Sequence, residues 1–131
     1  DPDFHFKLGK GGLVDVEFIA QLLQMRHGAQ LPPMRASATL DVITAAAEAG
    51  LVTGSEAAHL TDAYLFCTRL RNRLYLQTGR DVGSLPTDPA ELSRLALLLG
   101  ETGGSVGSLR ETYMKKTRRA RRIFEVRFYE D

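Results

Sequence analysis

A chain of 131 residues is about one domain long and can bury a real core. Its 44% hydrophobic and 25% charged residues are ordinary for a soluble globular domain, and a formal net charge of +1 exerts no global pull on a polyanion. One cysteine, Cys67, excludes an intramolecular disulfide framework and a cysteine-rich zinc site, and no run approaches the ~18 apolar residues of a membrane span. A reducing cytoplasm is the expected compartment. There is no signal-peptide pattern, and Asp1-Pro2-Asp3 without an initiator methionine looks like interior sequence. Residues 1–131 are expected to form one helical domain cut from a longer protein.

Residues 3–8 alternate polar and apolar but have no second strand to pair with, so they are expected to form a short extended lead-in. Lys7-Leu8-Gly9-Lys10-Gly11-Gly12 then makes a glycine-rich, twice lysine-bearing turn into an apolar helix. That helix should start near Gly12 and stop by Gly28. Leu13, Val14, Val16, Phe18, Ile19, Leu22, Leu23 and Met25 spread almost all the way round it, the pattern of a helix in the middle of a bundle. Glu17, Gln21 and Gln24 form its one polar stripe, with Asp15 on the far side.

After a Leu31-Pro32-Pro33 linker, a second helix is expected from about Ser37 to Glu48, with Leu40, Ile43, Ala46 and Ala47 as its core stripe and Gly50 as its stop. Ser55 is the expected N-cap of a long helix ending at about Thr78, whose seam is Leu60, Tyr64, Cys67, Leu70 and Leu74. A loop over residues 79–88 leads to Asp88-Pro89, a cap followed by proline at the first helical position, and a short helix that stops at Gly100. Residues 101–104 read as flexible, and the last helix should run from about Ser108 to Tyr129 and bury Leu109, Tyr113, Ala120, Ile123, Phe124 and Phe128. Five helices with short loops and no pairable strands predict an all-α bundle.

The glycine turn supports two readings. Backbone amides at a helix N-terminus, with Lys7 and Lys10 beside them, suit phosphate or carboxylate; equally, the glycines suit a tight turn packed against a neighbouring helix. The turn matches neither the P-loop nor the dinucleotide-binding glycine pattern. Asp15 and Glu17 lie about 200° apart around a helix and cannot converge on one atom. Asp15 is expected to serve the helix N-terminus and Glu17 to bond to Gln21, with a functional role open for Glu17.

His5, His27 and His59 lack metal-ligand spacing, and Cys67 falls on the core seam. Arg69 and Arg73 share a helix face. Residues 110–127 are strongly basic, Arg118 and Arg122 among them, but no aromatics interleave the basic face. Those arginines therefore point to solvent or a protein partner, not to nucleic acid.

Residues 7–28, from Lys7-Leu8-Gly9-Lys10-Gly11-Gly12 through Arg26-His27-Gly28, closely resemble the signature of the bacterial glutamine synthetase adenylyltransferase/adenylyl-removing enzymes. The similarity continues through Thr39–Ile43, Ala49-Gly50-Leu51, Tyr64-Leu65-Phe66 to Leu74, and Leu92–Ala96. The resemblance implies an α-helical domain that follows a nucleotidyltransferase domain in a two-headed enzyme. One half attaches AMP from ATP, with magnesium, to a tyrosine of glutamine synthetase; the other removes it; PII signal protein and glutamine set the balance. The basic stretch Arg118–Phe124 and the aromatic tail Phe128-Tyr129 resemble the end of the adenylylating half, and Arg69-Leu70-Arg71-Asn72 resembles actinobacterial wording, with Arg71 where an acidic residue often stands.

The family's catalytic Gly-Ser turn and Asp-x-Asp magnesium ligands do not occur; Asp1-Pro2-Asp3 lacks the preceding Gly-Ser context. The resemblance therefore implies no catalytic residue and no metal ligand here, and a chain inactive alone. ATP and Mg2+ would belong to the parent enzyme. Lys7, Gly9, Lys10, Gly11, Gly12, Glu17 and Gln21 are the candidates for bordering the nucleotide or protein-substrate cleft; Arg69, Arg73, Arg118 and Arg122 are the candidates for partner binding. The implied partners are glutamine synthetase, PII and the enzyme's own nucleotidyltransferase domain. The rival readings are a regulatory module that docks glutamine synthetase or PII without touching nucleotide, and the related helical domain of a PII uridylyltransferase, which fits residues 13–28 less well.

Overall fold

The computed structural model describes residues 4–101 and 105–129; the Asp1-Pro2-Asp3 reading and most of the expected flexible 101–104 stretch lie outside the described residues. Five α-helices make up the fold: α1 Leu13–His27, α2 Thr39–Glu48, α3 Gly54–Thr78, α4 Pro89–Leu98 and α5 Val106–Phe124. A 3-10 turn, Pro32–Arg35, precedes α2, and a wider π turn, Glu125–Tyr129, follows α5. No strand occurs among the described residues, so the chain is all-α as its periodicity requires. The lead-in is wound into turns instead of being extended, because the amides of Gly9 and Leu13 fold back onto the carbonyls of His5 (2.7 Å) and Phe6 (2.9 Å). It also finds a neighbour: Lys7 N–H donates to Gly83 and Leu85 N–H to Phe4, so two backbone bonds tie it to the loop before α4.

Local chemistry explains where each helix begins. At α3 the cap is Thr53, two residues before the expected Ser55. Its hydroxyl accepts the Glu56 amide (3.0 Å) while the Glu56 carboxylate accepts the Thr53 amide (2.8 Å), a reciprocal box not open to Ser55, which has Ala58 three residues on. Asp88 caps α4 on the Glu91 amide (3.1 Å), with Pro89 at the first helical position. Ser105 caps α5 on the Ser108 amide, so α5 starts earlier than its hydrophobic pattern indicates.

The long helices α3 and α5 form the spine. They run antiparallel: Lys116 grips both carboxylate oxygens of Asp62 at 2.7 Å and lies over the Phe66 ring, while Arg127, past the end of α5, reaches Glu56 at the start of α3 (2.5 Å). Two apolar clusters flank this spine. One joins Val16, Ile19 and Leu23 of α1 to Val42, Ile43 and Ala46 of α2, with Leu60, Ala63, Ala120 and Ile123. The other joins Phe6 and Leu13 to Cys67, Leu70 and Leu74 of α3, Leu92 and Leu95 of α4, and Leu109 and Tyr113 of α5. Tyr64 packs on both.

Helix α1 lies parallel to α5 in a fixed register. Gly11 abuts Thr117, Asp15 bonds to Arg121, and the Phe18 and Phe124 rings pack with centroids 6.0 Å apart; each pair is separated by 106 residues. The expectation that α1 is covered on all sides is not met. Val16, Ile19, Ala20 and Leu23 are buried, but Val14, Phe18 and Met25 are exposed, Met25 at 81%. The apolar residues of α1 thus serve two faces, and only one is filled by this bundle.

Gly11 has φ +77°, and a methyl group there would overlap the Thr117 carbonyl; Gly50 has φ +76° with open space around it. Replacing either with alanine forces a left-handed conformation costing about 1–2 kcal/mol, but only Gly11→Ala also drives α1 from α5. In urea unfolding Gly50→Ala should cost about 1 kcal/mol and Gly11→Ala about 3 kcal/mol or more. Equal losses would show that the Gly11–Thr117 approach does not set the packing.

The Glu56 carboxyl titrates low. Burial alone would raise it, but hydrogen bonds from Arg127 and the Thr53 amide, and the Arg127 charge, outweigh that and hold it below the ordinary carboxylate range. A carboxyl depressed on folding contributes stability above its unfolded value, about 4.3, and loses it as pH falls through the folded value. The stability gap between the native chain and Glu56→Gln should therefore be steady from pH 7 to about 5 and close as pH drops below about 4.3. A gap independent of pH contradicts the Arg127–Glu56 staple.

Candidate functional site

The glycine turn is organised from within. Asp15, one turn into α1, reaches back so that its Oδ2 accepts the Gly11 amide at 2.6 Å and the Arg121 Nη1 at 3.1 Å. The amides of Gly12, Leu13 and Val14 donate to Gly9, Phe6 and Lys7. The amides of Gly11, Gly12, Leu13 and Val14, which an incoming phosphate would meet first, already have acceptors in the chain. Of the two readings of the turn, the geometry realises close helix packing, with Asp15 as its built-in anion. Arg121 is bound on both sides, to Asp15 and to Glu125 at 3.4 Å, and stacks over Phe124.

What remains for a ligand is side-chain charge. Between the turn and α5 lies a groove of about 580 Å³ lined by Leu8, Gly9, Lys10, Met114, Thr117, Arg118 and Arg121. Lys10 and Arg118 are exposed on its rims, and neither makes an ion pair among the described residues. Lys10 and Arg118 stand 108 positions apart (118 − 10) and meet only because α1 and α5 share a register. Lys7 stands apart, 3.7 Å from Asp81 in the loop before α4.

The expected polar stripe of α1 divides. Glu17 is half-buried and accepts the Tyr64 hydroxyl at 3.2 Å, in place of the expected Gln21. Burial pushes the Tyr64 phenol up, the Glu17 charge adds to this, and a hydrogen bond with Thr39 works against it, so the phenol stays a donor. Gln21 is exposed, and Gln24 donates to the Ala36 carbonyl at 2.6 Å. Arg69 and Arg73 are exposed on α3 and away from the groove; Arg122 is exposed on α5, one turn beyond Arg118. Cys67 is buried and its thiol is pushed up to about 12 by that burial. No group of three or more His, Cys, Asp or Glu side chains among the described residues could hold a metal ion. The groove therefore suits an anion through Lys10 and Arg118. No helix among the described residues is long and apolar enough to cross a membrane.

This arrangement is that of a helical domain with a cationic groove between its glycine turn and α5. The chain matches, over residues 2–128, the family model described as GlnD PII-uridylyltransferase, and it belongs to that family. Its curated relatives carry a different description, bifunctional glutamine synthetase adenylyltransferase/adenylyl-removing enzyme. The chain is 43% identical to the one from Streptomyces avermitilis and 42% to the one from Streptomyces coelicolor, over 98% of its length in each case, and 37% identical to that of Mycobacterium tuberculosis over 94%. It spans only 13%, 13% and 12% of those relatives. The resemblance drawn from residues 7–28 thus extends along the chain, and both nucleotidyl-transferring descriptions meet on it.

Asp15→Ala removes the acceptor of the Gly11 amide and one partner of Arg121. An unsatisfied, part-buried donor costs about 1–3 kcal/mol, so chemical unfolding should show a loss of that size. Asp15→Asn, which keeps an acceptor oxygen, should lose less; equal losses would mean that the charge on Arg121 matters and the amide does not.

Proposed function

We propose that this chain is the helical domain accompanying a nucleotidyltransferase domain in an enzyme that adenylylates and deadenylylates glutamine synthetase, working in the cytoplasm in nitrogen regulation. The observation that carries the reading is the groove at the start of α1. The glycine turn and the basic helix α5, far apart in sequence, come together there with Lys10 and Arg118 on the rims. A groove with two cations and no nucleophile, general base or metal cluster can orient an anionic group while another domain does the chemistry. The groove would face the nucleotide or the protein substrate, with ATP and Mg2+ handled by the catalytic domain and PII acting on the whole enzyme. Its turn is made by Gly9, Gly11 and Gly12, while Lys7 precedes the turn and Glu17 and Gln21 follow along α1, outside the groove lining.

The family model's description supports a second reading, in which the same domain serves uridylyl transfer to PII. Labelled AMP transfer to glutamine synthetase and labelled UMP transfer to PII, measured side by side with the longer enzyme that carries this segment, separate the two. AMP transfer should require the longer enzyme and be absent with this chain alone. Loss of one charge-assisted hydrogen bond is worth about 1.5–3 kcal/mol, so Lys10→Ala and Arg118→Ala should each slow AMP transfer about tenfold or more, and Lys7→Ala, whose partner is Asp81, should slow it less. Unchanged transfer and ATP KM in both groove variants would refute the groove's role; UMP transfer alone would favour the second reading.

A further inference from the structure

We propose that the outer face of α1, with the arginine row of α5 beside it, seats an acid-bearing amphipathic helix from another part of the same polypeptide. Val14, Phe18 and Met25 are 40%, 46% and 81% exposed, Phe18 lying against Phe124 at the edge of the first cluster, with Leu22 half-buried between them. Their spacing of i, i+4 and i+11 places them on one side, and eleven residues of helix make a stripe about 16 Å long. A helix with apolar residues on opposite sides belongs between two neighbours, and this bundle supplies one.

The charge beside the stripe defines the chemistry of the missing neighbour. α5 lies parallel to α1, and Thr117 and Arg121 face it. Arg118 and Arg122 follow them in sequence, are exposed, and make no ion pair among the described residues. The carboxylates nearest the contact are engaged: Asp15 and Glu125 with Arg121, and Glu17 with Tyr64. Lys10 and Arg118 border the groove at the start of α1, so the acidic flank of the occupant falls on Arg122, one turn further along α5. An occupant that covers the stripe therefore carries apolar residues on one flank and Asp or Glu on the other.

The size of the face assigns the occupant to the same polypeptide. A few apolar side chains and two or three cations fall well short of the roughly 20–30 residues a side of a stable association in solution. A covalently tethered partner sits at an effective concentration in the millimolar range and holds on a smaller face. The curated relatives supply such a tether, since this segment is 13% of their length. The inference rests on reading the chain as one domain of a longer enzyme.

Single cysteines at Met25 and at Glu48, an exposed position on α2, test it by maleimide labelling, read by mass spectrometry of the labelled peptide. The native Cys67 is buried and stays silent on this timescale. In the longer polypeptide Met25→Cys should label at least tenfold more slowly than in the 131-residue chain, with Glu48→Cys unchanged. Adding Arg122→Glu, which lies outside the groove, should abolish that protection. Equal labelling of Met25→Cys in both contexts would overturn the proposal, as would protection in the short chain that grows with its concentration, which points to a second copy. Protection that survives the charge reversal would overturn the acidic occupant. A producing cell in which antibodies detect only a band of this chain's own size would defeat the domain reading instead.

Discussion

The structure hangs on how closely α1 can approach α5. Where Gly11 meets Thr117 there is room for a hydrogen and not for a methyl group. That contact sets the depth at which α1 sits and, through the common separation of 106 residues, the register of Asp15 on Arg121 and of Phe18 on Phe124. It also lies where the two apolar clusters meet. Leu13 and Tyr113 belong to one, Val16 and Ala120 to the other, and Thr117 is the buried polar residue between them, its hydroxyl turned back onto the Tyr113 carbonyl. A polar waist dividing two cores is tolerable because its groups are paired: Thr117 locally, Asp15 with an amide and a guanidinium, Glu17 with a phenol.

The cations of the C-terminal half fall into two populations. Lys116, Arg121 and Arg127 each hold a carboxylate on another element, Asp62, Asp15 and Glu56, and so fasten α5 to α3 and α1. Arg118, Arg119 and Arg122 are exposed on the other side of the same helix. The helix that closes the bundle thus also carries the domain's outward positive charge. A near-neutral chain can in this way present a strongly basic face.

Much of this could be read along the chain. Gly50, Gly79 and Gly100 stop helices because they adopt positive φ, and the seam Leu60, Cys67, Leu70, Leu74 is buried as its spacing demands. Gly28 also ends a helix, but for a different reason: it keeps a helical φ of −61° and offers its carbonyl to Arg35. The cap of α3 was displaced because Ser55 and Thr53 are both good caps, and only the reciprocal bond with Glu56 decides between them. The glycine turn was recognisable as either a packing device or an anion site. The choice between them depended on Thr117, Asp15 and Arg121, and no local pattern reports a neighbour over a hundred residues away. For the same reason Lys10 and Arg118 were legible as separate candidates but not as two sides of one groove. The apolar surplus of α1 was visible in its sequence, but whether its second cover lies within these 131 residues is a tertiary fact.

The parallel pairing of α1 with α5 has a consequence for the life of the chain before it is folded. A ribosome adds about 5–20 residues per second, so the 106 residues separating Asp15 from Arg121 take about 5–20 s to make. For that interval α1 exists with neither of its faces sealed by α5, and loop closure over such a span is entropically slow. Until α5 arrives, the apolar surface of α1 lies open, the kind of transient exposure that makes an incompletely folded chain prone to aggregate.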